Sequence, residues 1–223
     1  QWHISKGKTV LEEAFHFVTE ETSPHLVEQK LDEILKFDDY KEIEVISALN
    51  HFSLTPDTFA EHELGYKLIS YNAPVDEANE ELMLSVNKRF AVQFYYTFPK
   101  HFYQKIKAKK LPTKFNFSGE KFLNALTVKN HKEIHINLYH HQVEFFAFEN
   151  KKVVLYNNLD ADSEVDFLYF IMFSLSKINF GTAETHFHIY GETHENETFI
   201  SELRKFVKNI KLKDAGCWML DVK

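Results

Sequence analysis

Thirteen histidines in 223 residues supply much of the side chains that could do chemistry in this chain. His186 and His188 in THFHIY are two apart, and on a strand that spacing turns both rings to one side. His135, His140 and His141 add imidazoles in the same half of the sequence. Neutral imidazole is a good ligand for zinc, but a zinc site needs further ligands at fixed spacing, and no cysteine or carboxylate in the sequence completes such a pattern. Packing and surface roles are therefore expected for these histidines, with no metal and no cofactor. The single cysteine, Cys217, stands beside Trp218 without a neighbouring base to generate a thiolate, and reads as a small apolar residue. HExxH, GxxxxGK and GxSxG runs are absent, so no catalytic residue is assigned.

Two charged stretches complete the candidates. Asp160, Asp162, Glu164 and Asp166 crowd around an expected helix start, where capping and the helix dipole account for them better than a calcium loop, whose glycine and spacing they lack. Pro99 to Lys114, PKHFYQKIKAKKLPTK, interleaves Phe102 and Tyr103 with Lys105, Lys107, Lys109 and Lys110. Cations that neutralise phosphates beside rings that stack on bases make these four lysines the nucleic-acid candidate. The plainer reading is a helix whose lysines complement its own C-terminal dipole and whose aromatics face the core.

The rest of the composition narrows the class of protein. The chain is 44% hydrophobic and 26% charged, ordinary for a globular protein and unlike a disordered one. Its longest apolar run, Phe167 to Leu175, falls far short of the roughly 20 residues that span a bilayer. A single cysteine suits a reducing compartment, so a cytoplasmic protein without a membrane segment is expected. A net charge of −7 argues against a chain-wide nucleic-acid footprint while leaving local basic patches open. The chain opens on Gln1, so residues are expected to precede it.

Elements that would position these groups are legible in the periodicity. Glu133 to Leu159 alternates through three runs, with Ile134, Ile136 and Leu138, then Val143, Phe145 and Ala147, then Val153 and Leu155 on one face, predicting a meander of half-buried strands. Ser163 and Asp166 form a capping pair ahead of a helix to Lys177. Thr185 to Tyr190 and Ile210 to Leu212 read as strands, with a helix over Asn196 to Val207 between them. Earlier in the chain, Trp2 to Ser5 and Thr9 to Val18 form a hairpin candidate about Gly7-Lys8. Ser23-Pro24 starts a helix, and Glu42 to Ala48 is a strand. Thr55-Pro56 is expected to open a helical segment running through Leu64, Leu68 and Ile69. Strands over Leu82 to Val86 and Ala91 to Phe98, a helix from Pro99, a strand over Thr113 to Phe117 and a helix over Glu120 to Val128 follow. The order hairpin, helix, strand thus occurs twice, which either two ribonuclease-H-like halves or one large mixed α/β sheet would explain.

The stretches NHFSLTPDTFAEHELGYKLISYN (residues 50–72), INLYHHQVEFFAFENKKVVLYNNLDADSEVDFLYFIMFSL (136–175) and HIYGE (188–192) resemble an uncharacterised family of Bacteroidetes proteins with an actin-like ATPase fold. That resemblance implies an α/β protein of two ribonuclease-H-like halves with mixed sheets, residues 1–130 and 131–223. The first strand of the N-terminal half would lie upstream of Gln1. It also identifies the places where a nucleotide would bind. Actin-like phosphate loops carry an acid for magnesium and a glycine that lets backbone N–H groups reach phosphate. The second loop falls between Ile136 and Val143 and reads NLYHHQ, with His140 and His141 in place of both. The adenosine turn normally begins with two glycines. Here it reads Gly191-Glu192, so a side chain and a negative charge occupy the second position. Gly191, Glu192, His140 and His141 are the cleft positions for a cofactor, and their chemistry disfavours ATP hydrolysis. The resulting expectation is a catalytically inactive binding or scaffolding protein with a protein partner. The competing readings are a divergent ATPase or phosphotransferase, and an RNA-associated accessory factor.

Overall fold

In the computed structural model, the described residues are 2–6, 9–14, 24–36, 40–139, 142–160, 163–193 and 196–213. The chain begins with an antiparallel pair, β1 (Trp2–Lys6) and β2 (Thr9–Ala14), the hairpin expected about Gly7-Lys8, with residues 15–18 of its expected second strand outside the described residues. Helix α1 (Pro24–Leu35) starts on the proline, whose fixed φ suits a first helical turn and whose missing N–H costs that turn nothing. β3 (Ile43–Ser47) follows, then β4 (Phe52–Pro56), a 3-10 turn at His62–Leu64, α2 (Gly65–Ser70), β5 (Glu80–Asn87) and β6 (Val92–Pro99). α3 (Lys100–Lys107), β7 (Thr113–Phe117) and α4 (Ser118–Ala125) lead into β8 (Lys132–Tyr139), β9 (Gln142–Glu149) and β10 (Lys152–Asp160). The chain then runs through α5 (Glu164–Lys177), β11 (His186–Gly191), α6 (Glu197–Arg204) and β12 (Asn209–Leu212).

The later strands form one five-stranded mixed sheet in the order β10-β9-β8-β11-β12. β8, β9 and β10 pair antiparallel, while β11 pairs parallel with both β8 and β12. Each parallel return is made through a helix, α5 and then α6, because a parallel pair needs a crossover. Earlier in the chain, β3 and β7 also pair parallel, and β4-β6-β5 form an antiparallel sheet.

Three expectations are corrected. Thr55-Pro56 does not start a helix but ends β4, at the edge of its sheet, where a proline's missing N–H breaks no ladder. Helical structure begins only at His62, as a 3-10 turn that leads into α2 at Gly65. Val153 does not share the face of Leu155. The ladder with β9 slips between them, Val153 opposing Phe148 and Leu155 opposing Ala147, so Val154 is an extra residue and Val153 turns to the opposite core. The meander strands β8 and β9 are also buried on both faces, where half-burial was expected.

One face carries Ile134, Ile136, Leu138, Val143 and Phe145 against Phe167, Ile171 and Leu175 of α5 and Ile200 and Leu203 of α6. On the other, Phe146, Phe148 and Tyr156 join Phe52, Phe94 and Tyr96 of the antiparallel sheet, Phe117 of β7, and Phe122 and Leu123 of α4. The polar residues that alternate along β8 and β9 share that second, covered face. Glu133, His135, Asn137 and Glu144 are each at most 1% exposed.

Candidate functional site

Burial forces these polar side chains to satisfy one another. β8 and β11 run parallel with His135 opposite His188, so period-two alternation brings Glu133 and His135 together with His188 and Tyr190 on one face. Glu133 accepts from the backbone N–H of Lys129 (3.0 Å) and of Asn130 (2.6 Å), and from the Asn130 side chain. Its second oxygen lies 2.9 Å from His135 Nε2. Burial alone would raise this carboxyl, but the His135 and Asn130 and Lys129 donors outweigh it and hold Glu133 at about 2. The carboxylate is thus charged and accepts the Nε2–H of His135, whose Nδ1 lies 3.0 Å from the Tyr190 hydroxyl and accepts its proton. Burial, and then the Glu133 charge, push Tyr190 up to about 12, so it stays a phenol donor.

His188 stacks on His135, with ring centroids 4.7 Å apart and planes 25° from parallel. Its side chain is 9% exposed, and neither ring nitrogen has a hydrogen-bond partner among the described residues. Burial first, then His135 and the nearby Lys213 and Lys211, lower it to about 4 against the pull of Glu133. The imidazole is neutral and faces a cavity of about 430 Å³. Glu133 and Tyr190 also line that cavity, with Lys129, Lys211 and Lys213 exposed around it. Sequence reasoning singled out His135 and His188 but missed Glu133, Tyr190 and the lysines, because parallel pairing of distant strands sets their meeting. The signal was the shared i, i+2 spacing in EIH, HIY and KLK.

Glu133 is the carboxylate that the sequence pattern lacked for a metal set. Glu133, His135 and His188 offer ligand atoms within 4.8 Å of one another. Atoms about 2 Å from a common zinc ion lie at most about 4 Å apart, so the cluster would have to contract around an ion. It would also have to break the hydrogen bond between His135 and Glu133. The group fits a hydrogen-bonded relay better than a ready ligand set.

A second buried carboxylate, Glu144, accepts from Tyr156 (2.8 Å), Ser118 (3.4 Å) and Asn137 (3.4 Å). Burial pushes it up to about 7 against those donors. Nearby, Glu120 accepts from Asn124 (2.5 Å) and Asn87 (3.3 Å), tying α4 to β5.

The other sequence candidates fall elsewhere. His140, His141 and Cys217 lie outside the described residues, as does Asp162. Gly191 ends β11 at φ +85°, where an added Cβ would run into the Leu138 carbonyl. The next N–H, of Glu192, donates to Leu138 O at 2.7 Å, and that of Thr193 to Gly191 O at 2.8 Å. Ser163 caps α5, accepting from the Asp166 N–H at 3.2 Å, as expected for this acidic stretch. Lys105 pairs with Glu28 (3.0 Å) and Asp32 (2.8 Å) of α1, and Lys109 lines the same groove. Lys107 instead sits over Tyr103 and Phe115, at 5.8 and 5.7 Å, and Lys110 occupies the turn after α3 at φ +55°. The four lysines do not share one face.

Residues 5–210 match the family described as Protein of unknown function (DUF3822). The chain belongs to that family. A solved Bacteroides thetaiotaomicron protein with an actin-like ATPase fold and unknown function superposes with a TM-score of 0.77 at 19% identity, covering 88% of this chain and 78% of that one. A chain of the PilM-PilN type IV pilus biogenesis complex superposes with a TM-score of 0.52 at 10% identity, covering 88% and 76%. No curated protein matches. This DUF3822 chain therefore has the actin-like ATPase fold. No described helix in it is long and apolar enough to cross a membrane.

Proposed function

We propose that this DUF3822 protein is an actin-like binding module that does not hydrolyse nucleotide, acts in the cytoplasm and works through a protein partner. The observation that carries the reading is the turn after β11. Where an actin-like protein would lay adenosine against an open glycine turn, the N–H groups of Glu192 and Thr193 are engaged by Leu138 and Gly191, and Gly191 itself is wedged against β8. A ligand there would have to displace backbone bonds of the sheet. The sequence adds the missing acid and glycine between Ile136 and Val143.

A protein partner is supported by α5. Val165, Tyr169 and Phe173 follow at every fourth residue and are 74%, 60% and 47% exposed, an apolar stripe on the helix face turned away from the core. The PilM-PilN structure shows a similar fold in a two-protein assembly, which fits the same reading. In this proposal residues 1–130 and 131–223 are the two ribonuclease-H-like halves, and the aromatic core around Phe94 and Phe146 holds them together. The test is calorimetric titration with ATP and magnesium, alongside an assay for phosphate release. The proposal expects neither micromolar binding nor turnover, and either one would replace it with the divergent-ATPase reading.

A further inference from the structure

We propose that the cavity over His188 is a binding site for the doubly charged phosphate group of a small molecule. Three strands build it by register. Glu133 and His135 lie on β8, His188 and Tyr190 on β11, and Lys211 stands directly opposite His188 on β12. Lys213 is two residues beyond Lys211, and its backbone N–H bonds Ile189 O at 2.8 Å, so alternation carries its side chain to the face of Lys211. The turn before β8 closes the remaining side with Lys129.

The charge of this lining is opposite to that of the molecule. Three ammonium groups face one carboxylate on a chain whose net charge is −7. Among the described residues none of those lysines is in an ion pair, whereas Lys105, Lys114 and Lys121 are. Glu133 also lines the cavity, but its oxygens already accept from the backbone N–H groups of Lys129 and Asn130 and from His135, which offset its charge. His188 is part of the lining, and its ring nitrogens are buried without a hydrogen bond, Nε2 lying 3.8 Å from a Glu133 oxygen, and leaving such a donor without an acceptor is costly. A phosphate oxygen accepting from it, with ammonium groups around the other oxygens, satisfies both features. A volume of about 430 Å³ is that of a small-molecule pocket and leaves room for a compact organic body beyond the phosphate. The same lysines oppose a metal ion at the Glu133, His135 and His188 cluster.

The experiment is calorimetry on the whole protein in a low-salt, phosphate-free buffer, with inorganic phosphate, glycerol phosphate and zinc chloride as separate titrants. The variants are Lys211→Ser/Lys213→Ser and His188→Leu, with Lys151→Ser as a control away from the cavity. Lys211 and Lys213 are exposed, so the double variant keeps its fold, which circular dichroism checks. Phosphate or its ester binds the parent protein, and the double variant binds about tenfold or more weakly, since each lost ammonium–phosphate contact removes a charge-assisted bond. Tighter binding of glycerol phosphate assigns the site to phosphate esters, and equal binding to the free ion. No binding of either, or binding unchanged in the double variant, overturns the proposal. Zinc binding that the lysine substitutions strengthen, without phosphate binding, overturns it in favour of a metal site. Loss of this pocket would leave the non-hydrolysing reading intact, because that reading rests on Gly191 to Thr193.

Discussion

Glu144 shows how much a single buried residue can set. Its carboxyl is wholly enclosed by Tyr156, Ser118 and Asn137, and burial raises it from its ordinary 4.5 to about 7. A raised folded-state value means that the native protein holds this proton more tightly than the unfolded chain does. The associated stability is full below about pH 4.5 and is lost as pH rises through about 7, on the order of 3 kcal/mol for this shift. Glu144→Gln, which keeps the shape without the charge, should be less sensitive to pH than the parent between those values in urea unfolding. An unchanged pH slope would show that Glu144 does not titrate there. This residue was invisible as a polar core group in the sequence, where QVEFFAFE reads as a strand with one wet face. Alternation identifies which residues share a face but not what covers it, and α4 and the antiparallel sheet cover this one. For the same reason His135 and His188 stood out, whereas their partners Glu133 and Tyr190 did not.

At the level of elements, the capping pair at Ser163 and the period-two meander were plain because both depend on neighbours in sequence. Val154 was not: inserting one residue in β10 leaves the apolar pattern VVLY looking regular, and only the ladder with β9 reveals the slip. α5 carries the longest apolar run of the sequence, yet its Val165, Tyr169 and Phe173 face outward. Gly191 belongs to this scale because it closes β11 onto β8. Gly191→Ala would place a Cβ against the Leu138 carbonyl at a positive φ. The cost expected from the backbone conformation and the displaced ladder is at least about 2 kcal/mol, read as a lowered denaturation midpoint. A neutral substitution would mean that the turn is open enough for a ligand and would undercut the reading of the site.

Across the whole molecule, the aromatic core joins residues far apart in the chain. Phe94 of β6 lies 5.3 Å from Phe117 and from Tyr156, and 6.3 Å edge-on from Phe146. Phe94→Ala should cost about 3–5 kcal/mol, as for other fully buried phenylalanines. Near-UV and far-UV circular dichroism should still report one coincident transition. Two separated transitions would show halves that fold independently of this shared core.

The central claim is that this actin-like fold serves a protein partner and neither binds ATP at micromolar concentration nor hydrolyses it. Calorimetry with ATP and magnesium, run in parallel on the parent protein and on Lys211→Ser/Lys213→Ser, tests it most directly. The account predicts no micromolar binding beyond any weak heat that the lysine substitutions abolish. Micromolar, magnesium-dependent ATP binding that persists in the variant would contradict it.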